Sequence, residues 1–83
     1  MDKIYVRLYV PMLEKIYDVW IPSNKKIGNA IILLMKLINE MNDGIYNPSN
    51  APMLYDKITA SMYDVNLTIK DANIRSGSEL VLI

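Results

Sequence analysis

Eighty-three residues, 52% of them hydrophobic, carry nine basic and nine acidic side chains that cancel, a composition that specifies one small globular unit rather than a disordered or polyanion-coating chain. The sequence contains no cysteine and no histidine, which excludes disulfides, thiolate nucleophiles, imidazole acid–base chemistry and zinc sites built on those ligands. A chain this short buries only about 60% of its unfolded surface, so its core must be efficient.

Lys3 to Val10 alternates apolar Ile4, Val6, Leu8 and Val10 with Lys3, Tyr5, Arg7 and Tyr9, the period of a half-buried strand. Pro11 to Glu14 form a short connection, and "KIYDVWI", Lys15 to Ile21, is an aromatic and β-branched run that can pair back as a hairpin before Pro22 ends it. Ser23 and Asn24 are both good helix caps, and the spacing from about Lys25 to Asn42 predicts a helix. At 100° per residue Ala30, Ile31, Leu34, Leu37, Ile38 and Met41 lie within about 80° of Ile27, with Met35 at the margin, so they form the buried stripe. Ile32 sits at about 140° on the polar side, and Leu33 on its border.

"NDGIYNPSNAP", Asn42 to Pro52, with two prolines and a glycine, predicts an irregular loop that starts near a glycine cap at Gly44 and is the most mobile stretch of the chain. "MLYD" then reads as a third strand, "KITA" as a turn and "SMYDV" as a short fourth strand. Thr68 with Asp71 makes a capping box for one helical turn over Ile69 to Asn73, which points Ile69 and Ile74 inward. "RSGS" supplies a turn, and "ELVLI" is the fifth strand. The longest apolar run, Ala30 to Met35, is far shorter than the roughly 20 residues that cross a bilayer. With no leader-like start at "MDKIYVRLYV", the expectation is a cytoplasmic protein without a membrane span.

Five strands with one substantial helix provide too few crossovers for a doubly wound sheet. They suit an α+β fold of the β-grasp type, a mixed five-stranded sheet with one long helix across one face and a one-turn helix before the last strand, over residues 1–83 as a single domain. The first and last strands, rich in branched aliphatics, would lie parallel in the middle. "IPSNKKIGNAI" after the hairpin and "LTIKDANIRSGSELVLI" at the end resemble the helix entry and closing segment of the ubiquitin-like superfamily, over essentially the whole chain. Within it, the small size, Pro22 and "ANIRSGSELVLI", with Ile74, Gly77 and Leu80 in register, are most similar to the bacterial YukD/EsaB group associated with type VII (Esx) secretion. That resemblance implies a non-conjugating interaction module, accessory or regulatory to such a system, bound to a protein partner such as a membrane component or ATPase of the machinery. Conjugating modifiers and sulfur carriers of this fold end in a Gly-Gly tail; Gly28, Gly44 and Gly77 are each isolated, so a modifier would require a continuation past Ile83. A stand-alone adaptor or a homodimer using the same surface are the other readings.

Asp18, Asp56, Asp64 and Asp71 are scattered and suit solvation and turns rather than catalysis; no enzyme activity and no cofactor are expected. Asn47-Pro48-Ser49-Asn50 has proline in the middle of its sequon-like triplet, so it is a turn and not a glycosylation site. Lys25-Lys26 is the one adjacent basic pair, unfavourably placed at a helix start and read as solvated. The informative surface is the outer face of the sheet. Alternation turns Tyr5, Arg7 and Tyr9 outward, Ile16, Asp18 and Trp20 outward on the second strand, and Val81 and Ile83 outward on the last. The expected protein-binding residues are therefore Tyr5, Arg7, Tyr9, Trp20, Val81 and Ile83, joined by Ile32 of the helix, because aromatic anchors dominate protein interfaces.

Overall fold

A computed structural model describes residues 2–48 and 50–83. Strand β1 (Lys3–Val10) turns through a 3-10 segment at Pro11–Leu13 into β2 (Lys15–Pro22), helix α1 (Ile27–Met41) follows, and β3 (Leu54–Asp56) and β4 (Ser78–Leu82) complete the order. The strands lie in the order β2-β1-β4-β3, with β1 and β4 parallel at the centre and the outer pairs antiparallel. This is a β-grasp sheet. It has four strands rather than the expected five, because the segment read as "SMYDV" forms only an isolated bridge between Met62 and Tyr55. The turn between them is held by Asp56, whose carboxylate accepts from the backbone N–H of Ile58 and Thr59 at 2.8 and 3.1 Å. Ala60 closes the turn in a left-handed conformation, φ 62°, and the returning chain bonds to β3 from Asp56 N–H to Ser61 and from Tyr63 N–H to Leu54 before it departs.

The alternation in the sequence sets the core. Val6, Leu8 and Val10 of β1, Val19 and Ile21 of β2, and Leu80 and Leu82 of β4 face inward and meet Ile27, Ala30, Ile31, Leu34 and Ile38 of α1 in one buried cluster. Each large apolar side chain in it contributes about 1.5–3 kcal/mol of burial. Leu37 is only half-buried and Met41, expected inward, is exposed, while the adjacent Asn42 is buried. Asn42 donates to the Ile38 carbonyl and to the Tyr17 hydroxyl, and accepts from the Lys15 ammonium at 3.0 Å, so it pins the helix end to β2. The helix closes through a bond from Gly44 N–H to the Asn39 carbonyl, with Asp43 left-handed at φ 54°.

At its start α1 departs from expectation. The cap is Lys26, with no side-chain bond, rather than Ser23 or Asn24. Its orphan N–H groups are met by backbone: Ile27 donates to Leu67 and Gly28 to Val65, at 2.8 and 3.0 Å. A Cβ on Gly28 would stand 3.3 Å from the Val65 carbonyl oxygen, so the residue is small where another chain segment passes. Ser23 instead clasps the N-terminal strand, both its N–H and its hydroxyl donating to the Asp2 carbonyl.

The described residues of the Asn42 to Pro52 loop, which leave out Ser49, are irregular as expected, yet Tyr46 among them is buried against the core. The expected one-turn helix is a single hydrogen-bonded turn. Thr68 Oγ1 accepts from Asp71 N–H at 3.0 Å, half of the capping box, and Asn73, left-handed at φ 63°, closes the turn with Asn73 donating to Lys70 and Ile74 to Ile69. That six-to-one closure buries Ile69 and Ile74 together, as the sequence implied.

Candidate functional site

The register brings the outer sheet residues into rows that run across the strands. In the middle row Asp18 on β2 opposes Arg7 on β1, Arg7 opposes Glu79 on β4, and Lys57, just past β3, donates its N–H to the Glu79 carbonyl. Asp18 and Arg7 are 3.9 Å apart, and so are Lys57 and Glu79. One neighbouring row is Ile16, Tyr9, Val81 and Tyr55. The other begins with Trp20 opposite Tyr5, whose rings lie 5.9 Å apart at 54°, and continues to Gly77, which donates to the Tyr5 carbonyl.

The side chains hold one another. Tyr5 donates its hydroxyl to Asp18 Oδ1 at 2.6 Å, and that bond, more than desolvation or the carboxylate's charge, pushes the phenol pKa upward. The Lys57 ammonium stands 5.8 Å from the centre of the Tyr9 ring, within cation–π range. A shallow groove between Tyr55, Lys57, Ala60, Val81 and Ile83 runs along the β3 side.

Trp20 is 62% exposed, Ile16 50% and Ile83 64%, with no part of the described chain folded over them. Large apolar side chains left exposed together on one sheet face mark it as a candidate interaction surface. Tyr5, Arg7, Tyr9, Trp20, Val81 and Ile83 thus share one face, while Ile32, exposed on α1, belongs to the opposite layer. Three residues of the face were not singled out in the sequence. Tyr55 and Lys57 sit at a strand of three residues, too short to show a phase, and Glu79 opens the last strand, where its alternation with Leu80 is the signal that turns it outward. Among the described residues no group of three or more Asp, Glu, His or Cys side chains is placed to hold a metal ion, and no helix is long and apolar enough to cross a membrane.

Against solved structures the chain superposes along its entire length on the ubiquitin-like domain of the Mycobacterium tuberculosis type VII secretion protein EccD1, with a TM-score of 0.79, 13% identity and 99% of that chain covered. The fold is ubiquitin-like. The EccD5 ubiquitin-like domain of Mycobacterium xenopi matches it at a TM-score of 0.81 and 18% identity, over 100% of this chain and 94% of that one. A chain of the toluene 4-monooxygenase HD complex with the inhibitor 4-bromobenzoate also matches, at 0.77 and 7% identity, over 98% and 96%. No family model matches the sequence, and no curated protein sequence does. The ubiquitin-like fold alone is therefore what these likenesses establish, since one fold carries many functions.

Proposed function

We propose that the chain is a protein-interaction module of a bacterial type VII secretion system, of the YukD/EsaB kind, accessory or regulatory to its machinery, which works by binding and not by conjugation or catalysis. The exposed aromatic sheet face carries the reading: Trp20, Tyr5 and Tyr9 are presented on rigid strands as anchors. End-to-end likeness to two ubiquitin-like domains of secretion proteins supports the cellular setting. The partner is a larger component in the cytoplasm, membrane-anchored or an ATPase, with an apolar surface that receives the face and charged groups that complement Arg7, Asp18, Glu79 and Lys57.

The test is recovery of the cytosolic domains of the secretion machinery on immobilised chain. Trp20→Ala and Tyr5→Ala each remove an anchor, and truncating an anchor at the centre of an interface costs about 2 kcal/mol or more, so recovery drops at least about tenfold. Recovery equal to wild type would take the sheet face out of the mechanism. Ile32→Ala, on the other layer, leaves recovery unchanged.

A further inference from the structure

The charges of the middle row alternate in strand order: Asp18 negative, Arg7 positive, Glu79 negative, Lys57 positive. Such a row is complementary to its own reversal. Lay a second sheet on the first, face to face, related by a two-fold axis that runs along the strands between β1 and β4. The order of strands is then inverted across the interface, so Asp18 meets the partner's Lys57 and Arg7 meets the partner's Glu79, each charge against its opposite. The adjacent row maps on itself in the same way, Tyr9 on the partner's Val81 and Ile16 on the partner's Tyr55, all apolar or aromatic. On the other flank Tyr5 reaches the partner's Gly77, where no side chain stands in the way and no heavy atom would crowd a Cβ. The alternative two-fold, across the strands, would set Asp18 on the partner's Asp18 and Arg7 on the partner's Arg7. The charge pattern forbids that one.

We propose that the outer sheet face binds a second copy of this chain as a face-to-face, two-fold dimer in which β1 packs on the partner's β4, with the charged row fixing the register. Two sheets stacked in this way keep about 10 Å between them and cross at about 30°, half of which falls on each copy. Four strands about 4.8 Å apart and three rows about 6.8 Å apart cover roughly 400 Å². A stable interface buries about 800 Å² per partner. The dimer is therefore weak and reversible, and a larger partner that offers more surface displaces it. Self-association covers Tyr5, Tyr9, Ile16 and Val81, beside Trp20, while no partner is bound. The inference rests on the reading of this face as an interface and on nothing about secretion.

Sedimentation of the purified chain, with no other protein, over a range from about 10 μM to millimolar, where small interfaces associate, tests it with two charge-swap variants. Arg7→Asp with Asp18→Arg keeps the pair within the chain but turns every contact across the two-fold into like against like. Lys57→Glu with Glu79→Lys does the same from the other side. The wild type associates with rising concentration, each swap alone loses at least about tenfold in association, and an equimolar mixture of the two swaps recovers it, because every facing charge is again opposite. Concentration-dependent amide shifts of the wild type, read by NMR, fall on β1, β4 and Trp20 and leave α1 unmoved. A wild type monomeric throughout, swaps that associate as well as wild type, a mixture no better than its components, or shifts centred on α1 would each overturn the dimer. None of those results bears on capture of secretion components, which is a separate measurement.

Discussion

Asp56 gathers three donors, the N–H groups of Ile58 and Thr59 and the Tyr63 hydroxyl at 3.2 Å. The backbone donors, Thr59 foremost, hold its carboxyl below the ordinary range. Burial, with the Asp56 charge and hydrogen bond added, pushes the Tyr63 phenol up to about 12. The two groups act at opposite ends of the pH scale. Asp56, depressed in the fold, contributes stability above the unfolded carboxylate pKa of about 4, and this is lost as pH falls through its folded value. Tyr63, raised in the fold, contributes stability below the unfolded phenol pKa of about 10, and this is lost as pH rises toward about 12. Urea midpoints measured across pH should fall in both directions, and Asp56→Asn should flatten the acid side while Tyr63→Phe reduces the alkaline loss. Glu14 offers a second residue-scale test. It closes the hairpin connection at φ 53°, a conformation that disfavours a side chain by about 1–2 kcal/mol. Even after the entropy glycine loses on folding, Glu14→Gly should stabilise by about 0.5 kcal/mol, and Glu14→Ala should leave urea midpoints unchanged.

At the scale of elements, α1 is decided by which face it buries. Leu34 is fully buried and Ile32 is 65% exposed, two residues away on the same helix. Leu34→Ala should cost about 2–5 kcal/mol by denaturant unfolding, enough to threaten a domain of this size, while Ile32→Ala should fall within about 0.5 kcal/mol of wild type. Asn42→Ala should cost about 1–3 kcal/mol, since the Tyr17 hydroxyl loses its donor and the Lys15 ammonium its acceptor, while the Ile38 carbonyl keeps the Asn42 backbone N–H. The inward sets of β1, β2 and β4, the buried stripe of α1 and the inward placement of Ile69 and Ile74 were legible in the sequence because periodicity is a local property of the chain. The start of α1 was not, because its cap comes from backbone at Val65 and Leu67, far along the chain, and no side chain advertises it. The missing fifth strand had the β-branched and aromatic texture of a strand around Met62 and Tyr63, but it lies against a β3 of only three residues and meets it at a single bridge. Tyr46 was hidden for a third reason: an isolated aromatic in a polar loop has no period to reveal its burial.

For the molecule as a whole, the sheet is asymmetric in use. One face is the core, and the other carries the sole tryptophan, largely exposed. Trp20 fluorescence should thus report docking more than folding: emission typical of a solvated indole in dilute chain, a shift to the blue when the face is covered by a copy or a partner, and little change on Leu34→Ala unless the chain unfolds. The candidate face was largely legible, since alternation alone turned Tyr5, Tyr9, Trp20, Val81 and Ile83 outward. Its charge order was not, because which charge stands beside which depends on strand order, β2-β1-β4-β3, and that order appears only in three dimensions.

The parallel pairing at the centre joins segments separated by nearly the whole chain; the Tyr5 N–H reaches the Ser76 hydroxyl across 71 positions. Until β4 arrives, β1 has an open, apolar inner edge and β3 has no ladder to join. On the ribosome this delays completion of the core until residues 78–82 have cleared the exit tunnel, and closing so long a loop slows the final step. A nascent chain arrested before that point would be a hairpin and a sticky helix, a substrate for chaperones and proteases rather than a smaller version of the protein.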